Sequence, residues 1–228
     1  MTPWLDQVTN YQSDVHRRRW FACELEDVEK LSGRDLDRLI EQGETLKHDA
    51  TTSVARLVFG ARHIIIKRYN SRNQWHRVNR SVRRSRASRC WRMSYSFESA
   101  GLSVARPFLM LERRLGPLRR TAYFVSEALD GAELLYSLPT MEYSQQRLVA
   151  QVLKDAFERM KRASITHGDL KASNLIWKGG RIYFIDLDAA RHHASKQSWL
   201  KANNKDRRRF LENWRGDDQL MSLFEDLV

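Results

Sequence analysis

The chain has 228 residues, enough for one domain or two small lobes around a proper hydrophobic core. Its 40 Lys and Arg against 28 Asp and Glu leave a net charge of +12 and a pI near 10.0, which points to an anionic partner: nucleic acid, acidic lipid headgroups or a phosphorylated substrate. The two cysteines, Cys23 and Cys90, indicate neither a disulfide framework nor a cysteine-rich zinc site, and no apolar run is long enough to span a bilayer.

The opening Met1-Thr2-Pro3-Trp4-Leu5-Asp6 lacks the basic and apolar blocks of a signal peptide, so a cytosolic protein is the expectation. To about Asp49 the chain mixes charges with Trp4, Trp20, Phe21 and Leu25. Within it, Ser32 to Ile40 has a cap and apolar spacing suited to a short helix. Glu44 to Tyr69 reads as strands. Val54, Leu57, Val58 and Phe59 lead into the turn Gly60-Ala61-Arg62, and His63 to Tyr69 returns, a β-branched pattern that favours a hairpin. Lys67 closes the apolar run Ile64-Ile65-Ile66. From Ala50 to Phe97 there are twelve Lys or Arg and no Asp or Glu. Such a block is either a solvated basic face or a docking surface for an anion.

Ser71 to Ala100 is expected to be mostly helix, carrying Trp75, Val78, Val82, Trp91, Tyr95 and Phe97 among the arginines. Leu102 to Leu111 is broken at Arg106-Pro107, and Tyr123 to Glu133 reads as a strand followed by a turn. Thr140 is expected to cap a helix running to about Arg162. There Leu148, Val152, Ala156 and Met160 recur every four residues, and Val149, Leu153 and Phe157 widen the stripe. Beyond Asp188, Ser198 to Trp214 is basic and helical, and Leu220, Leu223, Phe224 and Leu227 give a small apolar face.

The chemistry gathers in Thr166-His167-Gly168-Asp169-Leu170-Lys171-Ala172-Ser173-Asn174, followed by a β-rich run ending in Asp186-Leu187-Asp188. A turn through Lys178-Gly179-Gly180 separates two extended runs, Asn174 to Trp177 and Arg181 to Ile185, which predicts a hairpin returning Asp186 towards Asn174. An Asp base, a neighbouring Lys and an Asn–Asp pair of hard oxygen ligands for Mg²⁺ are what phosphoryl transfer from ATP requires. Asp169 and Lys171 are therefore the catalytic candidates, and Asn174 and Asp186 the metal ligands. Asp188 is expected to be exposed or a cap, with an auxiliary ligand role as the alternative.

These residues resemble the catalytic loop and metal site of the protein-kinase superfamily, His-Arg-Asp-Leu-x-x-x-x-Asn and Asp-Phe-Gly. The resemblance implies an α+β, protein-kinase-like two-lobed fold: a small β-rich N-lobe with the preceding segment over residues 1–129, and a compact, mostly helical C-lobe over 130–228. It also implies a phosphate-binding role for Lys67, adenine contacts from the backbone of Glu127 and Leu129, and Glu133 near the ribose. His48 to Ser53 stands where a kinase has its Gly-rich loop, and its small hydroxyl residues offer backbone N–H groups to phosphate. The acid that pairs with the strand Lys has one candidate, Glu98, late on its helix. Gly168 replaces the Arg of regulated protein kinases and no Ala-Pro-Glu segment follows, which points to a small-molecule or glycan kinase.

Ile65 to Asn70, the block Ser85-Arg86-Ala87-Ser88-Arg89-Cys90-Trp91-Arg92 and Thr166 to Lys171 are together similar to the bacterial lipopolysaccharide kinases, over roughly Leu46 to Trp214. That family resemblance implies ATP and Mg²⁺ as cofactors and a lipid-linked lipopolysaccharide core as acceptor. It further implies peripheral work on the cytoplasmic face of the inner membrane, where the basic block meets anionic lipid; nucleic acid is not an expected partner. Two other readings stay open: a kinase of another small molecule or of a protein, and an inactive nucleotide-binding scaffold with a basic membrane-binding face.

Overall fold

A computed structural model of the chain describes residues 9–13, 18–22, 30–70, 84–115 and 118–225. Trp4, Cys23, Leu25, Trp75, Val78, Val82 and Leu227 lie outside them. In chain order the first elements are β1 (Thr9–Ser13), β2 (Arg18–Ala22), α1 (Gly33–Gln42), β3 (Glu44–His48), β4 (Thr52–Phe59), β5 (Arg62–Tyr69) and α2 (Arg86–Ser99). Then come β6 (Ser103–Val104), β7 (Pro107–Leu115), β8 (Leu118–Glu127), β9 (Ala132–Glu133), a helical turn at Leu134–Ser137, and α3 (Tyr143–Arg162). The last are β10 (Ile165–Thr166), β11 (Leu175–Lys178), β12 (Arg181–Phe184), β13 (Arg191–His192), α4 (Lys196–Leu211) and α5 (Asp218–Glu225). They divide into two compact units, Met1–Arg92 with Ala105–Leu129, and Met93–Val104 with Asp130–Val228, so the division falls inside α2.

The first unit is built on one antiparallel sheet in the order β1-β2-β7-β8-β5-β4-β3. The β4–β5 hairpin closes at Gly60, whose φ of 59° is the left-handed conformation such a turn needs. Alternation along β5 puts Ile64 and Ile66 on one face, fully buried with Phe108, Leu109, Leu111, Tyr123 and Val125. Helix α1 covers that face through Leu36. Its start is held by a capping box, in which the Asp35 backbone N–H donates to Ser32 Oγ while the Ser32 N–H donates to Asp35 Oδ2. Asp37 ties the same helix to the sheet, accepting from the Tyr123 hydroxyl at 2.9 Å and pairing with Arg68 at 3.4 Å. Burial, with the bond to Asp37 adding to it, pushes the Tyr123 phenol up to about 12.

Of the helix expected over Ser71 to Ala100, residues 71–83 lie outside the described residues, and α2 follows a Ser85 cap whose Oγ accepts from the Ser88 N–H. Its first turns pack Cys90 and Trp91 inward. Arg86 stacks over Tyr69 at 4.8 Å and donates to Thr52 Oγ1, so this Arg belongs to the fold of the unit.

The second unit centres on α3. Its buried stripe is Gln146, Val149, Leu153, Ala156, Phe157 and Met160, while Leu148 is exposed. The helix starts at Tyr143 rather than at a Thr140 cap, because Thr140 lies in the preceding 3₁₀ turn with its hydroxyl on the Ser137 carbonyl. Against this stripe pack Leu170, Leu175 and Phe184 from the loop and hairpin that follow, with Phe210, Trp214, Leu220 and Phe224 from the C-terminal helices. A four-stranded sheet, β6-β12-β11-β9, carries the hairpin.

Candidate active site

The segment from Ile165 to Asp188 lies wholly in the second unit, so its geometry follows from local structure. After α3, residues Ala163 and Ser164 turn the chain into β10, which pairs with β13. The chain then runs through His167-Gly168-Asp169 into a 3₁₀ turn at Ala172–Asn174 and the β11–β12 hairpin. The expected turn is present: Lys178 pairs with Arg181, and Gly179 and Gly180 take φ of 55° and 72°. The Ile185 N–H donates to the Asn174 carbonyl at 3.0 Å, which sets Asp186 beside Asn174 as the spacing predicts.

The loop is held from below by a residue that sequence reading passed over. Asp206 of α4, 1% exposed, accepts the backbone N–H groups of His167 and Gly168 on a single carboxylate oxygen at 2.8 and 2.9 Å. It is the one acid between Asp188 and Glu212, and it falls on the buried stripe of α4 with Trp199, Ala202 and Phe210. An acid inside an apolar stripe was the available signal.

His167 is also fully buried. Its Nε2 lies 2.9 Å from the Ile185 carbonyl, so Nε2 carries the proton, and Nδ1 has no hydrogen-bond partner among the described residues. Phe97 and Phe184 flank the ring. Burial holds its pKa below the ordinary 6.5, with Asp206 opposing the shift.

Gly168 explains its own identity. Its φ is 82°, and a Cβ built there would meet the Ala189 carbonyl oxygen at 2.4 Å. No side chain fits, so the Arg of regulated protein kinases has no room on this backbone.

Asp169 projects from this fixed loop. Its Oδ1 is 2.8 Å from Arg209 Nε in an ion pair rather than an aligned hydrogen bond, and its Oδ2 is 3.8 Å from Lys171 Nζ. Asn174 Nδ2 donates to the Asp169 carbonyl at 2.9 Å, which orients the amide with Oδ1 as its acceptor atom. Asp186 has φ of 60°, the unfavourable left-handed region for a non-glycine residue, as strained functional residues often do. The structure thus brings together Asp169, Lys171, Asn174 and Asp186. It corrects one expectation, since Asp188 is buried rather than exposed. Glu133 pairs across β9–β11 with Ile176, and burial raises its carboxyl pKa.

Lys67, Glu127 and Leu129 belong to the first unit. Lys67 lies within β5, opposite Val54 on β4 and Phe124 on β8, so it is an interior position of a central strand rather than a strand end. The Glu127 N–H is used by the Arg106 carbonyl and the Ala128 N–H by the His63 carbonyl. The loop at His48 to Ser53 is a tight Asx turn: Asp49 Oδ1 accepts from the backbone N–H groups of Thr51 and Thr52 and from the Thr51 hydroxyl. These bonds hold the Asp49 carboxyl well below the usual carboxylate range. Two of the donors that the sequence offered to a phosphate, the Thr51 and Thr52 N–H groups, are therefore taken by a carboxylate of the chain itself.

Mg²⁺ takes few protein ligands and completes its shell with phosphate and water oxygens. Among the described residues no group of three or more His, Cys, Asp or Glu is gathered for a metal. Asn174 and Asp186, two hard oxygen donors that the hairpin returns towards one another, fit that pattern.

Among curated proteins the chain is 25% identical over 154 residues to the KEOPS complex subunit Bud32 of Pyrococcus abyssi (strain GE5 / Orsay), covering 67% of each chain. Among solved structures it matches WaaP in complex with acyl carrier protein. That match has a TM-score of 0.59 and 16% identity, over 90% of this chain and 95% of that one. These likenesses and the two units described above make the fold α+β and protein-kinase-like. The sequence model of the lipopolysaccharide kinase (Kdo/WaaP) family matches residues 29–220, which contain the whole site from His167 to Asp186. The protein is a phosphotransferase that belongs to the lipopolysaccharide kinase (Kdo/WaaP) family.

Proposed function

We propose that this kinase transfers the γ-phosphate of ATP to a sugar hydroxyl of the lipopolysaccharide inner core. The observation that carries the reading is Asp169 on a loop locked by Asp206 and Asn174, with two cations within ion-pair range of its carboxylate. In this reading Asp169 takes the proton as the acceptor oxygen forms its bond to the γ-phosphorus, and the bond to the bridging oxygen breaks to release ADP. Lys171 offsets charge on the phosphoryl group in transit. Asn174 Oδ1 and the Asp186 carboxylate would hold Mg²⁺, which neutralises the phosphate oxygens when bound. To the first unit we assign nucleotide recognition: Lys67 for the α- and β-phosphates, and the Glu127 carbonyl and Leu129 N–H for adenine.

No helix among the described residues is long and apolar enough to cross a membrane. We assign the protein a peripheral place on the cytoplasmic face of the inner membrane, with its lipid-linked acceptor. The test is transfer from labelled ATP to purified core glycolipid by wild type and Asp169→Asn. The variant should keep ATP binding and lose about two orders of magnitude or more in turnover. Near-normal turnover removes Asp169 from the role. Mass spectrometry of core oligosaccharide from a deletion strain then names the sugar and hydroxyl.

A further inference from the structure

Helix α4 carries a second stripe beside the one that buries Asp206. Lys205, Arg208, Arg209 and Glu212 follow at i, i+3, i+4 and i+7, on one face. With Lys171 and Asn213 they line a pocket of about 450 Å³, within the range of small-molecule sites and roomy enough for a sugar-sized group. Four of its six lining residues are cations. Its one acid, Glu212, has Arg215 at 3.6 Å.

Two of those cations also touch the proposed base, Arg209 at 2.8 Å and Lys171 at 3.8 Å. The other two, Lys205 and Arg208, are exposed, and neither has a carboxylate within ion-pair range among the described residues. Four like charges around one concavity repel one another and focus a positive potential into it, a cost that an anion in the pocket would offset. A solvated face has no need of that concavity, nor of a wall shared with Asp169.

We infer that this pocket is an acceptor subsite for an anionic substituent, a phosphate monoester or a sugar carboxylate, on the glycolipid whose neighbouring hydroxyl meets Asp169. The inference rests on the acceptor reading given above and adds what part of the acceptor is recognised. Lys205 and Arg208 stand on an element that carries none of the residues assigned to the nucleotide. Arg209 is shared between the pocket and Asp169, so an anion seated there competes for it and leaves a carboxylate oxygen for the hydroxyl proton.

The test is calorimetric binding without ATP, for wild type and the K205A/R208A double variant of two exposed side chains. Three detergent-solubilised glycolipids of matched chain length serve as probes: neutral, phosphate-bearing and carboxylate-bearing. Wild type should prefer one charged probe by about tenfold or more, and the double variant should lose that preference, which identifies the substituent. A preference retained in K205A/R208A overturns the subsite. An equal loss of affinity for MgATP also overturns it, since the cations would then serve the nucleotide. Transfer assays run beside this separate the two claims. Transfer to core glycolipid with an unchanged acceptor KM in the double variant rejects the subsite and keeps the kinase assignment. No transfer by wild type, with the binding difference intact, rejects the assignment and keeps the subsite.

Discussion

Gly168 and Gly180 share a left-handed backbone yet differ in what surrounds them, which makes them a controlled pair. At Gly180, φ is 72° and a Cβ would meet open space. Gly180→Ala should cost only backbone strain, about 1 kcal/mol. At Gly168 the same strain is joined by the Ala189 carbonyl in the path of the Cβ, so Gly168→Ala should cost about 2–5 kcal/mol and displace Asp169. Denaturant midpoints for both variants check this, and equal losses would mean that Ala189 moves away freely. Asp206 belongs to the same scale. Asp206→Ala strands the buried His167 N–H, at about 1–3 kcal/mol, and the half-buried Gly168 N–H, whereas Asp206→Asn keeps an acceptor and should recover much of the loss. Turnover should fall in the Ala variant while the KM for ATP changes little; an unchanged turnover would show that the loop holds its shape without this carboxylate.

At the scale of elements, the β11–β12 hairpin is what turns a sequence spacing into a site. Its register, Leu175 opposite Phe184, continues to the Ile185 N–H on the Asn174 carbonyl, which returns Asp186, one residue on, towards Asn174. Helix α4 does the complementary work, with one stripe buried and bonded to the loop and the next lined with cations. That double role was not legible in a run such as Lys205-Asp206-Arg207-Arg208-Arg209, where composition suggests a uniformly solvated basic helix. Periodicity separates the stripes only once the packing partner is known. The turn at Asp49 teaches the same lesson in reverse. Its hydroxyl residues read as donors for phosphate, but an adjacent carboxylate reaches the N–H groups of Thr51 and Thr52 first.

Across the whole molecule, charge and protonation decide the response to conditions. His167 is buried with its pKa below 6.5, and burial, with Arg191 adding to it, shifts His193 the same way. Near that pH the unfolded chain binds protons that the folded chain refuses, so stability rises with pH and is fully present above about 6.5. The unfolding midpoint should be flat above about pH 7 and fall on acidification below 6.5, with a shallower fall in His167→Gln. An equal slope in that variant would assign the effect to other groups. The basic block from Ala50 to Phe97 divides by use. Arg68 pairs with Asp37, Arg62 lies over Phe108 and Arg86 over Tyr69, so these serve the fold, while Arg84 is exposed. Arg72, Arg77, Arg80 and Arg83 lie outside the described residues. Binding of the protein to anionic vesicles should therefore weaken with salt as exposed charges are screened over about 8–10 Å. Salt-independent binding would point to an apolar contact instead.

The sequence by itself determined the parts that depend on local spacing. Asp169, Lys171, Asn174 and Asp186 fall within one loop and one tight hairpin, where short-range geometry leaves little freedom, and the Ser32 cap and the β4–β5 turn were legible for the same reason. The start of α3 was misplaced because Thr140 has equal local reasons to cap a helix or to close a 3₁₀ turn. The partners of Asp206 and Arg209 and the burial of Asp188 could be decided only by tertiary structure. A residue's partner from an element about forty positions away carries no signature in the chain between them, and burial of a charge is worth its cost only when that partner is in place.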